Sequence, residues 1–150
     1  MLQLILIRHA DAGPYTLPDE ARPVSKKGFQ ELENLRKFLV QKKCPQGLWL
    51  VSGAVRTRET AGYLLEKIDP IQVLSEMEWY HASGQAYLEK IREQVEPILY
   101  LVAHNPSISF VASHFLGESV HMDTASSVHL CWPNADAWNE VMAGSASLML

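Results

Sequence analysis

Short apolar runs alternate with amphipathic stretches along this chain, and that alternation constrains its fold more than any other feature. Leu2 to Ile7 is a continuous apolar run rich in β-formers and reads as a buried strand, with Leu48 to Val51, Ile71 to Leu74 and Ile98 to Ala103 as the second, third and fourth strands. Between the first two, Phe29, Leu32, Leu35 and Leu39 recur at helical spacing behind Ser25, a good N-cap, up to the basic end Lys42-Lys43. Further helices are expected from about Arg56 to Ile68, around Tyr87, Leu88, Ile91 and Val95 until Pro97, and from Pro106 to about Leu116 ahead of Gly117. Ser127 to Trp132 alternates, with Val128, Leu130 and Trp132 on one face, which predicts a fifth strand. Trp138 to Met142 is read as a sixth. Residues 10 to 24 hold Gly13, Pro14, Pro18 and Pro23 and form a loop, and Gly144-Ser145-Ala146-Ser147 reads as a loose tail. The pattern predicts an α/β protein, a three-layer, open, mostly parallel sheet with helices on both faces. At 150 residues, one domain spanning 1–150 is expected.

Composition narrows the function classes. Thirteen Lys and Arg against 17 Asp and Glu leave a net charge of −4, so bulk charge does not favour nucleic acid or an anionic membrane. An anionic ligand has to be held by a local cluster of cations. Cys44 and Cys131 are too few to staple a chain of this size and are read as free thiols. The apolar start is too short to span a bilayer and lacks a signal-peptide pattern, so a cytoplasmic location is expected. No coiled-coil stripe is present, which leaves a monomer as the expectation.

Ligands of open α/β sheets bind outside the carboxyl ends of the strands. The first strand ends in Arg8-His9-Ala10-Asp11-Ala12, the second in Ser52-Gly53-Ala54-Val55-Arg56, and the fourth in His104-Asn105-Pro106. Three strands thus deliver Arg and His to one edge, with a helix N-terminus beginning at Pro106. A dry cationic pocket for a phosphoryl or sulfuryl group is the expectation. Arg56 and Arg58 point to nearly opposite faces of their helix, and Arg56, nearer the strand end, is assigned to the pocket. Arg58 is read as solvated, and His114, His121 and His129 as structural.

These residues resemble the histidine phosphatase superfamily, whose fold is named for phosphoglycerate mutase. The resemblance rests on Arg8-His9 after the first strand, on Ser52 to Arg56 followed by Thr60-Ala61, and on His104 in Val102-Ala103-His104-Asn105-Pro106. Chain length and the segment Arg22-Pro23-Val24-Ser25-x-x-Gly28 look like the small SixA-type phosphohistidine phosphatases. Ala10 and Gly53 depart from the family pattern, which usually has Gly and Pro there. The resemblance implies that His9 is the nucleophile, that Arg8, Arg56 and His104 bind the phosphoryl group, and that Arg22 assists at the rim. The proton donor of larger members has no clear counterpart; Glu76, Glu78, His81 and Asp11 all remain candidates.

The chemistry fits those roles. A neutral imidazole attacks phosphorus, and the resulting phosphohistidine is hydrolysed by water. Charge on the equatorial oxygens is met by bidentate guanidinium groups. No metal and no cofactor is expected. An imidazole leaves readily near neutral pH whereas an alkoxide needs an acid. A phosphorylated histidine protein is therefore the favoured substrate, with a small phosphate monoester as the alternative. A non-enzymatic phosphoprotein-binding domain is the third reading.

Overall fold

The computed structural model describes residues 1–149. Four strands form the parallel core of the sheet: β1 (Leu2–Arg8), β2 (Leu48–Ser52), β3 (Gln72–Glu76) and β4 (Ile98–Ala103). Two more, β5 (Ser127–Trp132) and β6 (Ser147–Leu148), complete the order β3-β2-β4-β1-β5-β6. β5 runs antiparallel to β1, and β6 antiparallel to β5. Four helices join them: α1 (Lys26–Gln41), α2 (Val55–Leu65), α3 (Gly84–Arg92) and α4 (Ser107–Leu116).

In β1, β2 and β4 the continuous apolar runs are explained by burial on both faces, whereas β3, at the sheet edge, is mostly exposed. Along β1, Leu4 and Leu6 pack with Leu88 and Ile91 of α3 and Ile108, Val111 and Phe115 of α4. Ile5 and Ile7 point the other way, into a cluster with Leu32, Leu35 and Leu39 of α1 and Ala61 and Leu64 of α2. Each such side chain, once fully buried, contributes roughly 1.5–3 kcal/mol of transfer free energy. The two clusters make the three layers.

Several boundaries differ from the sequence expectation. Phe29 is 38% exposed, because Gly28 rather than Phe29 joins the buried stripe of α1. α2 stops at Leu65, short of Ile68, and α3 stops at Arg92, which leaves Val95 91% exposed beyond it. Trp138 to Met142 is not a strand. Trp138–Glu140 is a 3-10 turn whose Trp138 ring is buried and donates from Nε1 to the Glu96 carbonyl at 2.7 Å. The sixth strand is instead Ser147–Leu148, inside and just after the stretch read as a loose tail. Its anchor is Ser145, whose hydroxyl accepts the Trp132 indole N–H at 2.8 Å.

The register sets up the site. Arg8 is level with Ala103, and Val51 with Val102, so β1, β4 and β2 end together at one edge of the sheet.

Candidate active site

His9 leaves β1 but stays tied to the sheet, its backbone N–H donating to the Ala103 carbonyl at 3.0 Å. The next residue donates its N–H to Thr60 Oγ1 at 3.0 Å, and Thr60 donates in turn to the Arg56 carbonyl at 2.7 Å. From the other side, the Ala125 N–H lies 3.1 Å from the Arg8 carbonyl and 3.0 Å from that of His9. The turn that carries His9 is thus held by three separate parts of the chain. Ala10 adopts an ordinary negative φ; among the described residues only Lys43 and Ala125 are non-glycine positions with positive φ. A β-carbon is therefore tolerated where the resembling family has glycine.

Two close approaches bring flanking segments onto this edge. A β-carbon at Gly28 would lie 2.2 Å from the Asp11 carbonyl oxygen, so the first turn of α1 packs directly on the backbone after His9. Ser25 caps that helix, accepting the Gly28 N–H at 3.0 Å and donating to Asp11 Oδ2 at 2.6 Å. A β-carbon at Gly53 would lie 2.5 Å from the Met77 Cα, so Gly53 lets the 3-10 segment Met77–His81 close over the end of β2.

The His9 imidazole is 8% exposed. Its Nδ1 donates to the Ala10 carbonyl at 2.7 Å, which leaves the lone pair on Nε2. Arg56 Nε donates toward that Nε2 at 3.4 Å. Burial is the main reason that the His9 pKa falls from 6.5 to about 4, and the charges of Arg56, Arg8 and Arg22 add to it. The ring is neutral at physiological pH.

His104, 7% exposed at the end of β4, stands with its ring centroid 5.9 Å from that of His9. Its Nε2 lies 2.8 Å from Ser52 Oγ, while Nδ1 is buried with no hydrogen-bond partner in the protein. Burial lowers its pKa to about 3, with His9 and Arg56 contributing. Arg8 donates from Nη1 to the Met122 carbonyl at 3.0 Å, and its Nε is likewise buried and unpartnered. The same carbonyl accepts Asn105 Nδ2 at 2.9 Å, which links the ends of β1 and β4.

Arg8, His9, Arg56, His104, Arg22 and Asp11 all line one polar cavity of about 370 Å³. The other candidates do not reach it. Glu78 and His81 line a separate depression of about 400 Å³ between the 3-10 segment and α3, and Glu76 is exposed, its carboxyl pushed up by Glu78. Gly53 explains the displacement: the backbone of residues 76 and 77 lies flush on it, which leaves Tyr80 as the residue of that segment nearest the cavity. Arg58 is exposed and donates from Nε to the Gly53 carbonyl at 3.1 Å. His129 bonds Gln3, His114 packs between Phe110 and Phe115, and His121 is exposed beside Asp123. Among the described residues no three His, Cys, Asp or Glu side chains are grouped to hold a metal ion.

Three residues at the site escape the sequence reading: Asp19 and Tyr15 line the cavity, and Tyr80 bonds Asp19 at its edge. Asp19 projects from the loop into the cavity. Its carbonyl accepts Arg56 Nη1 at 2.6 Å, its Oδ2 accepts Arg56 Nη2 at 3.0 Å, and its Oδ1 accepts Arg22 Nη2 at 2.6 Å. Tyr80 donates its hydroxyl to Asp19, sets its ring edge-on to His104 with centroids 5.3 Å apart, and lies 5.6 Å from the Arg56 guanidinium. The only local signal for Asp19 is its i,i+3 spacing from Arg22; Tyr80 has none.

No protein-family model and no curated protein matches the sequence. Solved structures do. A chain from Agrobacterium tumefaciens assigned as the phosphohistidine phosphatase SixA superposes with a TM-score of 0.80 at 25% identity, over 86% of this chain and 90% of that one. A SixA assignment from Nakamurella multipartitia gives 0.84 at 22% identity, over 99% and 94%. The protein histidine phosphatase SixA complexed with tungstate gives 0.80 at 17% identity, over 99% and 95%. The chain has the phosphoglycerate mutase-like α/β fold, and its resemblance to the SixA-type members of the histidine phosphatase superfamily extends over nearly its whole length.

Proposed function

We propose that this protein is a phosphatase that removes the phosphoryl group from phosphohistidine on a partner protein through a covalent intermediate on His9. The observation that carries this reading is that Arg8, Arg56 and His104 line one polar cavity with His9, whose Nε2 is the unprotonated nitrogen because Nδ1 donates to the Ala10 carbonyl. A histidine that is buried, neutral and ringed by cations suits attack on an anionic phosphorus.

In the first step His9 Nε2 forms a P–N bond as the P–N bond to the substrate imidazole breaks, and the substrate nitrogen keeps the electron pair. In the second, water attacks phosphorus and the bond to His9 breaks. Nε2 recovers its pair, and the water's proton leaves on phosphate or to solvent. The transferring oxygens meet the guanidinium donors of Arg8 and Arg56, and the unpartnered Arg8 Nε and His104 Nδ1 gain an acceptor. His104, neutral before the phosphoryl group arrives, offers its Nδ1–H as a donor. Arg22 and Asp11 sit at the rim.

Of the four proton-donor candidates only Asp11 lines the cavity, and its Oδ2 is engaged by the Ser25 hydroxyl at 2.6 Å; Glu76, Glu78 and His81 lie outside it, which favours a leaving group that departs without a strong acid over an alkyl phosphate ester. The test is release of inorganic phosphate from a protein carrying phosphohistidine. Wild-type protein should release it and His9→Ala should not, while quenched wild-type enzyme carries an acid-labile phosphoryl group. Full turnover by folded His9→Ala would refute the assignment.

A further inference from the structure

The Arg56 guanidinium already has an anionic partner. Its two terminal nitrogens are taken by the carbonyl and the carboxylate of Asp19, and the other carboxylate oxygen is taken by Arg22. A tetrahedral oxyanion on His9 would draw on the same guanidinium, whose Nε is 3.4 Å from His9 Nε2. An ionised carboxylate and a phosphoryl dianion so close together repel. Tyr80 first, then Arg22 and Arg56, hold the Asp19 carboxyl well below the usual range, so it stays ionised throughout the neutral region.

The segment carrying Asp19, which includes the 3-10 turn Asp19–Ala21, meets the body of the protein mainly through polar contacts. Its neck is closed by the Ala12–Val24 bridge and by the Gly13 N–H donating to the Pro23 carbonyl at 3.1 Å. Between these, residues 14 to 21 are all exposed. Little apolar surface opposes displacement of the strap once Asp19 lets go.

We propose that Asp19 is an internal competitor for the phosphoryl site: its carboxylate latches the strap 14–21 onto Arg56, and an incoming phosphoryl group displaces it. This rests on the phosphatase reading and deepens it by naming the residue that sets anion affinity. Release of inorganic phosphate follows naturally, since the returning carboxylate competes with product.

Titration calorimetry with inorganic phosphate on the full chain tests this. Asp19→Asn is isosteric and removes the competing charge, so phosphate should bind about tenfold more tightly than to wild type. Tyr80→Phe, which removes the hydroxyl donor to Asp19 but no cation, should shift affinity the same way by a smaller factor. Arg56→Ala is the control for the site and should weaken binding at least tenfold. Unchanged or weaker phosphate binding by folded Asp19→Asn, with Arg56→Ala weakened as expected, overturns the latch and leaves the phosphatase reading standing. Equal binding by Arg56→Ala and wild type overturns both.

Discussion

Thr60 Oγ1 accepts the backbone N–H of Ala10 at 3.0 Å, which ties the turn after His9 to the helix that carries Arg56. Thr60 is fully buried, so nothing else satisfies that N–H. Thr60→Val keeps the shape and leaves the donor orphaned. It should cost about 1–3 kcal/mol of stability, read from urea unfolding. Phosphate release should slow as well, because His9 and Arg56 lose their common brace. A variant as stable and as active as wild type would show that the link is idle.

Arg56→Ala should lower turnover about 10²-fold, or roughly 3 kcal/mol, the usual loss when one preorganised donor to a transition-state oxyanion is deleted. Arg58→Ala, two residues along and exposed, should leave the rate unchanged. Steady-state phosphate release decides this, and equal losses in both variants would contradict the pocket assignment.

The two substrate readings separate on the acidic segment. Glu76→Gln, Glu78→Gln and His81→Asn should leave hydrolysis of phosphohistidine protein within about twofold of wild type, since none reaches the cavity. A loss above about tenfold on an alkyl phosphate in any of them would revive the monoester reading with that residue as acid.

Stability should fall on acidification before the carboxylates titrate. In the unfolded chain His9 and His104 take up protons near pH 6.5, whereas in the native state they do so only near about 4 and about 3. Between these values the unfolded state binds more protons, so native stability is complete above 6.5 and declines as pH drops toward 4. Each histidine contributes a slope of at most about 1.4 kcal/mol per pH unit. Urea unfolding at pH 7.5, 6.5, 5.5 and 4.5 measures it. His9→Asn should show a shallower decline than wild type, and parallel profiles would mean that His9 is not held neutral.

Gly28→Ala should destabilise by about 1–3 kcal/mol, because the added carbon meets the Asp11 carbonyl backbone at 2.2 Å rather than a side chain that can turn aside. Thermal unfolding gives the loss, and a variant of wild-type melting temperature would show that α1 can slide away freely.

What the sequence revealed follows from where structural information is local. β1 and β4 are legible because burial on both faces demands unbroken apolar runs, and Arg8, His9, Arg56 and His104 are legible because parallel strands end at a common edge. Trp138 and Val141 mislead for a related reason. They are buried as any strand residue would be, yet they pack through a 3-10 turn fixed by the Glu96 carbonyl. β6 is two residues long, too short for a period, and its partner lies far back along the chain in β5. Asp19 and Tyr80 meet across 61 positions, and neither sits in a periodic pattern. Glu76 and Glu78 attract attention by their chemistry, but Gly53 brings the backbone of their segment down, and Tyr80 is the side chain that meets His104.

The Met122 carbonyl holds Arg8 at 3.0 Å and Asn105 at 2.9 Å at once. Because the acceptor is main chain, swapping the side chain at that position does not delete it. Loop length between α4 and β5 is then the variable that matters, and one inserted or deleted residue there would retune both strand termini together. The spacing of residues 117–126, more than any one side chain among them, therefore sets where Arg8 and Asn105 are held.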